Sequence, residues 1–230
     1  GTVFSPGAAI GFSATASDTE DGTITSAIVW TSSLESGPLG SGGAISVSTL
    51  RSGTHAITAA VTDTNGKRTT TQITVVVNAA PTVAISAPAT GATYEHGAAV
   101  TCTATANDTE NGNLSSAITW TSSLNGTLGS GPTLTTSGLN SGTHTLTASV
   151  TDAGGRTTTA QVTVVVNSTP TIAITAPASG TVYEHGATVT LTGTASDLED
   201  GNISSAIVWT SSLNGSLGTG ASRAVGTLNS

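Results

Sequence analysis

A segment of eight residues occurs three times in this sequence, and the repeat that it marks constrains the fold more than any other feature. Ala27–Leu34 recurs with a single substitution at Ala117–Leu124 and unchanged at Ala206–Leu213. The tryptophan inside these copies recurs after 90 and then 89 residues. A fixed period of this kind indicates a structural unit that is copied along the chain.

We predict three repeats with boundaries set by this period. Repeat 1 is residues 1–78 and lacks the first strand of the unit, repeat 2 is residues 79–167 and is complete, and repeat 3 is residues 168–230 and lacks the last strands. Because both outer units are incomplete, we expect the sequence to be part of a longer chain.

Apolar residues within a repeat alternate with a period of two. His144, Leu146, Ala148 and Val150 share one face of their segment, and Thr and Ser share the other. Alternation indicates a strand with one buried face. In repeat 2 it predicts strands over residues 82–86, 100–106, 117–122, 133–136, 143–151 and 156–166. Short strands with a tryptophan on the third predict an all-β fold, in which tandem seven-stranded immunoglobulin-like β-sandwiches form an extended rod.

The composition excludes several classes of function. Five residues are Lys or Arg and thirteen are Asp or Glu, for a formal net charge of −8. Without a basic patch we expect no nucleic acid, and a cation is favoured. The apolar runs are too short to cross a bilayer, so we expect no membrane insertion in this window. The single cysteine, Cys102, excludes an internal disulfide and has the parity of a core residue.

The seven aromatic residues bear on ligands and catalysis. They occupy three recurring positions with core parity, which leaves none for a surface that stacks on sugars. Ser, His and Asp occur in every repeat, but none stands in a strand-to-helix elbow, and no helix is predicted. We predict that the chain is not an enzyme.

The acidic residues are concentrated at three recurring positions. Eight of the thirteen lie in what we call the acidic loop, residues 18–22, 108–112 and 197–201, and they are Asp18, Glu20, Asp21, Asp108, Glu110, Asp197, Glu199 and Asp200. Two precede His-Gly, namely Glu95 and Glu184, and two begin a hairpin turn, namely Asp63 and Asp152. Crowded carboxylates repel one another unless a cation or hydrogen-bond donors offset their charge. Oxygen ligands on loops are typical of calcium rather than zinc or copper.

A second interpretation of the same residues requires no metal. Asp18, Asp108 and Asp197 could each close a turn by accepting hydrogen bonds from the backbone amides that follow. Asp before a Gly-rich hairpin is also common in turns alone, which weakens the calcium interpretation for Asp63 and Asp152.

Topology places the candidate ligands at the junctions between repeats. In an immunoglobulin-like sandwich, the acidic loop and the last hairpin turn lie at the end where the first strand enters, so they face the preceding repeat. We predict one calcium ion per junction. The second junction would use Glu95, Asn167, Asp197 and Glu199, and the first would use Asn78, Asp108, Glu110 and Asp152. Ser5 stands where Glu95 would in repeat 1, so we expect a weaker first site.

Two short stretches resemble known families. Residues 14–22 resemble the Asp-x-Asp-x-Gly loop of cadherin-type repeats, and Glu95 stands where cadherins place a calcium-binding Glu. Residues 141–152 resemble the closing strands of polycystic-kidney-disease-like and other bacterial immunoglobulin-like repeats. Taken whole, the chain resembles the tandem immunoglobulin-like repeats of large bacterial surface adhesins and extracellular matrix proteins, whose interdomain calcium stiffens a stalk.

The resemblance implies a non-catalytic spacer at the bacterial cell surface or outside the cell. Its partners would be the neighbouring repeats of the same longer chain. One alternative is a segment of a self-assembling extracellular filament, in which the repeats also contact other copies of the chain. A weaker alternative is an accessory module of a secreted hydrolase.

Overall fold

The computed structural model describes residues 2–226 and 228–229, and its regular structure is almost entirely β-strand. Repeat 1 contains β1 (Thr2–Phe4), β2 (Ile10–Ser13), β3 (Ser17–Asp18), β4 (Gly22–Thr23), β5 (Val29–Ser32), β6 (Pro38–Ser41), β7 (Ala44–Val47), β8 (Gly53–Thr62) and β9 (Arg68–Val77). Within the described residues the helices are three short 3-10 turns, Thr25–Ala27, Ser115–Ala117 and Ser204–Ala206. In the described part of the chain no helix is long and apolar enough to cross a membrane.

Repeat 2 adds nine strands and repeat 3 adds six. Those of repeat 2 are β10 (Thr82–Ala87), β11 (Ala92–Glu95), β12 (Val100–Asp108), β13 (Gly112–Asn113), β14 (Thr119–Ser122), β15 (Gly126–Ser130), β16 (Thr133–Thr136), β17 (Gly142–Thr151) and β18 (Thr157–Asn167). Those of repeat 3 are β19 (Thr171–Ala176), β20 (Val189–Asp197), β21 (Gly201–Asn202), β22 (Val208–Ser211), β23 (Gly215–Thr219) and β24 (Ser222–Val225).

Repeat 2 shows the whole unit as a two-sheet sandwich. One sheet has the order β10-β12-β13, with β16 also paired to β12, and the other has the order β11-β18-β17-β14-β15. The core lies between them, because the inward residues of β12 meet those of β14, β17 and β18 in one cluster. Trp120 and Cys102 are both fully buried in this cluster. The predicted inward position of Cys102 is therefore confirmed.

The strand prediction for repeat 2 missed three strands. β11, β13 and β15 were not expected, since all are short and carry Gly, Thr, Asn or Glu instead of a clear apolar alternation. β14 also begins at Thr119, because Ser115–Ala117 forms a 3-10 turn before it. β11 and β15 extend one sheet on both sides, because β11 pairs in parallel with β18 and β15 forms a hairpin with β14, while β13 pairs with β12 in the other sheet.

A buried serine and histidine join the strands inside repeat 2. Ser122 Oγ lies 2.7 Å from His144 Nδ1, and His144 Nε2 lies 2.7 Å from the carbonyl oxygen of Asn140. A carbonyl only accepts, so Nε2 carries the proton and Nδ1 accepts from the Ser122 hydroxyl. Repeat 1 has the same arrangement at Ser32 and His55. His144 is fully buried, so the contact holds the start of β17 in place.

Replacing Ser122 by Ala leaves His144 Nδ1 buried without a donor. We expect Ser122→Ala to lower the free energy of unfolding of repeat 2 by about 1 to 3 kcal/mol. Hydrogen exchange of the β17 amides measures this value. Ser130→Ala, at an exposed serine of the same repeat, is the matched control. Equal exchange rates in the two variants would contradict the assignment.

Candidate functional site at the repeat junctions

Each acidic loop is a closed turn around its first aspartate. Asp108 Oδ1 accepts hydrogen bonds from the backbone N–H of Glu110 at 3.0 Å and of Asn111 at 2.7 Å. Asp18 and Asp197 accept the same pair of bonds in their own repeats. The turn interpretation is therefore correct for one carboxylate oxygen, Oδ1, and Oδ2 is left for another partner.

The aspartate of the last hairpin turn also binds that turn through one of its two carboxylate oxygens. Asp152 Oδ1 accepts from the Arg156 N–H at 2.8 Å, and Asp63 Oδ1 accepts from the Lys67 N–H at the same distance. These bonds close the turns between β17 and β18 and between β8 and β9. Asp152 Oδ2 remains free to bind a group outside the hairpin.

The first residue of the linker supplies that group. Asn78 Nδ2 donates to Asp152 Oδ2 at 2.8 Å, while the Asn78 backbone N–H donates to the Phe4 carbonyl oxygen of repeat 1 at 2.9 Å. The next residue, Ala79, donates its backbone N–H to Glu110 Oε2 at 3.0 Å. Asn78 is 4% exposed, so it is buried between the two repeats that it connects.

Gly154 makes room for Asn78. A Cβ at position 154 would lie 2.4 Å from Asn78 Nδ2 and 2.7 Å from Asn78 Cγ. The equivalent position in repeat 1 is Asn65. Sequence reasoning missed Gly154 as a junction residue, although the difference between the two hairpin turns was visible in the sequence.

The second junction repeats the hydrogen bond between the linker backbone and the glutamate of the next acidic loop, with one substitution in the linker. Ser168 replaces Ala79, and its backbone N–H donates to Glu199 Oε2 at 2.9 Å. The Ser168 hydroxyl lies 2.7 Å from Glu199 Oε2 and 3.4 Å from Asp197 Oδ2. At both junctions the residue after the linker asparagine is therefore bound by the glutamate of the next acidic loop.

Glu95 and Glu184 are both exposed. Glu95 pairs with Asn167 in the β11 and β18 ladder, so it does lie beside the linker, but its side chain is exposed. Glu184 is exposed in a stretch with no assigned strand. The hydrogen bonds that reach Asp197 and Glu199 from the preceding linker come from Ser168.

In repeats 1 and 2, the fourth residue of the acidic loop binds within its own repeat. Asp21 accepts from the Thr64 backbone N–H at 2.9 Å and from the Thr64 hydroxyl at 2.7 Å. Asn111 takes this role in repeat 2, where its Oδ1 accepts from the Ala153 N–H at 3.2 Å. The side chains of Asp21 and Asn111 thus join the acidic loop to the hairpin turn of the same repeat. In repeat 3 the equivalent Asp200 is exposed, and its backbone N–H donates to Asp197 Oδ1.

Three carboxylate oxygens at the junctions are buried without a hydrogen-bond partner. They are Asp108 Oδ2, Glu110 Oε1 and Glu199 Oε1. Asp108 is 8% exposed, and Glu110 and Glu199 are half-buried, whereas the equivalent Glu20 is exposed. An unpaired buried carboxylate oxygen is costly, so a cation fits this position. The donors are all oxygens, the ligands that calcium prefers.

The carboxylates alone do not form a complete metal site. Among residues 2–226 and 228–229, no three His, Cys, Asp or Glu side chains are grouped as metal ligands. An ion at the first junction would therefore need further oxygens, such as the Asn78 amide oxygen, linker carbonyls or water.

Comparisons with known proteins agree with this architecture. Residues 170–226 match the model of the Big_7 family, described as a bacterial Ig domain. Repeat 3 is therefore similar to a bacterial Ig domain. Because repeats 1 and 2 carry the same recurring sequence, this match supports the predicted resemblance to tandem bacterial Ig-like repeats. A search of curated proteins finds no match to the sequence.

One solved structure confirms the predicted fold class. Titin domains I67–I69, in an E-to-A mutated variant, align with 100% of this chain and 86% of that chain, at 12% identity and a TM-score of 0.50. With the strand order described above, this alignment shows an all-β fold with three Ig-like sandwiches in tandem. The fibronectin(III)-like modules of Clostridium thermocellum CbhA also align, over 80% of this chain and 95% of their own, at 19% identity and a TM-score of 0.38.

Electrostatics at the first junction favours an ionised Asp152. Burial raises the pKa of Asp152, but hydrogen bonds from the Arg156 backbone and the Asn78 side chain outweigh it and lower the pKa below its ordinary value. In the other two Ig-like domains, backbone hydrogen bonds from Glu20 and Glu199 lower the pKa of Asp18 and Asp197 respectively.

Because the pKa of Asp152 is lowered, the stability that its ionised carboxylate contributes depends on pH in a known direction. The contribution of Asp152 is present above its ordinary pKa and is lost as the pH falls through its lower folded pKa. We expect the Asn78 side-chain amide resonance to titrate with a midpoint below about 3.9. Asp152→Asn, which does not titrate, should abolish this response. A midpoint above the ordinary Asp value would contradict the assignment.

Gly154→Ala tests the packing of Asn78 directly. The φ of Gly154 lies outside the left-handed region, so Ala fits the backbone and only the contact with Asn78 is disturbed. We expect the Asn78 to Asp152 bond to break, with faster exchange of the Asn78 side-chain amide and changed dipolar couplings between Ig-like domains 1 and 2.

Gly11→Ala is the matched control. A Cβ at Gly11 would meet no atom within 4 Å, and the φ of Gly11 also lies outside the left-handed region. Unchanged couplings in Gly154→Ala would show that Asn78 does not hold the junction.

Proposed function

We propose that this chain is part of a non-catalytic spacer in a bacterial cell-surface or extracellular protein, and that calcium at the junctions fixes the orientation of successive Ig-like domains. The observation that carries the proposal is the contact of Asn78 with both domains, at a junction where Asp108 Oδ2 is buried without a partner. The description of the matching family, a bacterial Ig domain, supports the structural role and the location.

The short linkers support a stiff array. Four residues, 78–81, separate β9 from β10, and two of them hydrogen-bond to the next acidic loop or hairpin. Pro81 is buried and fixes φ, which reduces the number of conformations available to the connection. Three residues, 168–170, separate β18 from β19, and Ser168 is bound in the same way. A domain joined like this has little freedom to swing.

Calcium would complete both junctions. Asp108 and Glu110 with Asn78 would hold an ion at the first, and Asp197 and Glu199 with the Asn167–Ser168 segment would hold one at the second. Calcium supplies a positive charge that neutralises the crowded carboxylates and replaces their missing donors. A site of extracellular affinity, about 0.1 to 1 mM, would stabilise the chain by about 0.4 to 1.4 kcal/mol in calcium at about 1 mM.

Two matched substitutions test this function. We expect Glu110→Gln to weaken calcium binding at one site at least 10-fold, because an unpaired carboxylate oxygen loses its charge. Glu20→Gln changes the equivalent residue of an acidic loop without a linker residue bound to it, and should leave the junction affinities unchanged. Calorimetric titration of each variant with calcium gives the affinities.

The same three proteins also test whether calcium stiffens the first junction. Adding calcium should narrow the range of orientations between domains 1 and 2 in the unchanged chain and in Glu20→Gln, but not in Glu110→Gln, as measured by residual dipolar couplings. Equal calcium affinity in all three proteins would contradict the calcium site, and unchanged couplings would contradict its stiffening role.

A further inference from the structure

The two junctions differ in how the first aspartate of the acidic loop is paired. At the first junction, Asp108 is 8% exposed, and its Oδ2 has no hydrogen-bond partner among the described residues. At the second junction, Asp197 Oδ2 lies 3.4 Å from the Ser168 hydroxyl oxygen and accepts a hydrogen bond from it. The residue after the linker asparagine is alanine at position 79 and serine at position 168, which accounts for the difference.

The backbone around this position makes the same contacts at both junctions. The Ala79 N–H donates to Glu110 Oε2 at 3.0 Å, and the Ser168 N–H donates to Glu199 Oε2 at 2.9 Å. The aspartate of each acidic loop also accepts, through Oδ1, from the amides of the third and fourth loop residues. These shared bonds give residues 79 and 168 equivalent positions, so a hydroxyl at position 79 would reach Asp108 Oδ2.

The Ser168 hydroxyl lies between two carboxylates. Its oxygen is 2.7 Å from Glu199 Oε2 and 3.4 Å from Asp197 Oδ2. A hydroxyl has one hydrogen to donate, and a hydrogen bond from it to an ionised carboxylate is a strong one. The serine therefore supplies, within the protein, a donor to carboxylates that alanine leaves to an outside partner.

A cation would use the same carboxylate oxygens as this hydroxyl. To bind them at the second junction, calcium must displace the hydrogen bonds of Ser168, whereas at the first junction nothing is displaced from Asp108 Oδ2. One glutamate oxygen is unpaired at each junction, namely Glu110 Oε1 and Glu199 Oε1. Both junctions thus keep an oxygen for a cation, and the hydroxyl changes how tightly the cation is held.

We propose that the side chain after the linker asparagine sets the calcium affinity of its junction. Alanine leaves the aspartate to the ion, and serine lowers the affinity by pairing the carboxylates itself. Successive junctions of one chain can thereby become stiff at different calcium concentrations. The inference rests on the proposed calcium function, but the hydroxyl contact is measurable without metal.

Reciprocal substitutions in the whole chain test the proposal. We expect Ala79→Ser to weaken calcium binding at the first junction about 10-fold, and Ser168→Ala to strengthen it at the second about 10-fold. The backbone amide shifts of residues 79 and 168 during a calcium titration report the two junctions separately. Each junction is compared with its own variant, so differences elsewhere between the junctions do not affect the result.

Two substitutions one residue further along the linkers are the matched controls. Ala80→Ser adds the same hydroxyl at an exposed position, and Thr169→Ala removes a hydroxyl from an exposed position. Neither should change the calcium affinity of either junction.

Hydrogen exchange in calcium-free buffer tests the hydroxyl contact alone. We expect the residue 79 amide to exchange about 10-fold more slowly in Ala79→Ser, because the added hydrogen bond holds the linker against the acidic loop. The residue 168 amide should exchange about 10-fold faster in Ser168→Ala. Unchanged exchange in both variants would overturn the proposal.

The calcium titration separates this inference from the function on which it rests. If calcium at about 10 mM, well above the dissociation constant of an extracellular-type site, shifts neither amide in the unchanged chain, the proposed function and this inference both fail. If calcium binds but Ala79→Ser leaves the affinity of the first junction equal or higher, only this inference is overturned.

Discussion

A single asparagine is hydrogen-bonded to both of the domains that it connects. The Asn78 backbone completes the sheet of domain 1 through Phe4, and its side chain reaches Asp152 of domain 2. The linker is short, so this contact limits how the second domain can be placed. Asp108 and Glu110 lie beside this linker in domain 2, and one carboxylate oxygen of each is buried without a hydrogen-bond partner.

Differences between the repeats follow the junction contacts. Position 154 is Gly where Asn78 packs against it, and position 65 is Asn. Position 168 is Ser and adds a hydroxyl bond to Glu199, whereas position 79 is Ala and offers only its amide. Core positions vary differently, since Phe12 and Cys102 occupy one position and are both buried. The core thus accepts different side chains of suitable polarity, while junction positions depend on a specific neighbour.

Much of the fold could be predicted because repetition and alternation are strong signals. The inward tryptophans, Cys102 and His144 have the parity of buried residues, and the structure places them there. β11 and β15 could not be predicted from alternation, because their residues pair along a sheet edge and bury little apolar surface. Their existence depends on neighbouring strands that lie far away in the sequence.

The sequence indicated where the candidate site lies, but not which group each of its side chains binds. Clustered acids indicated the junction, and the linker contacts of Glu110 and Asp152 agree with that. The sequence does not tell which oxygen of Asp108 closes the turn, or that Asp21 binds Thr64 inside its own domain. These choices depend on side-chain geometry at atomic scale.

The central claim is that the linker contacts, completed by calcium, fix domain 2 relative to domain 1. Spin labels at Ser46→Cys and Thr159→Cys, both on exposed strand positions, report the distance between the two domains. Cys102 is fully buried and burial raises the pKa of its thiol, so it should not be labelled. We expect the distribution of distances between the two labels to have a single peak, which becomes narrower when calcium is added. A broad distribution that calcium does not change would contradict it.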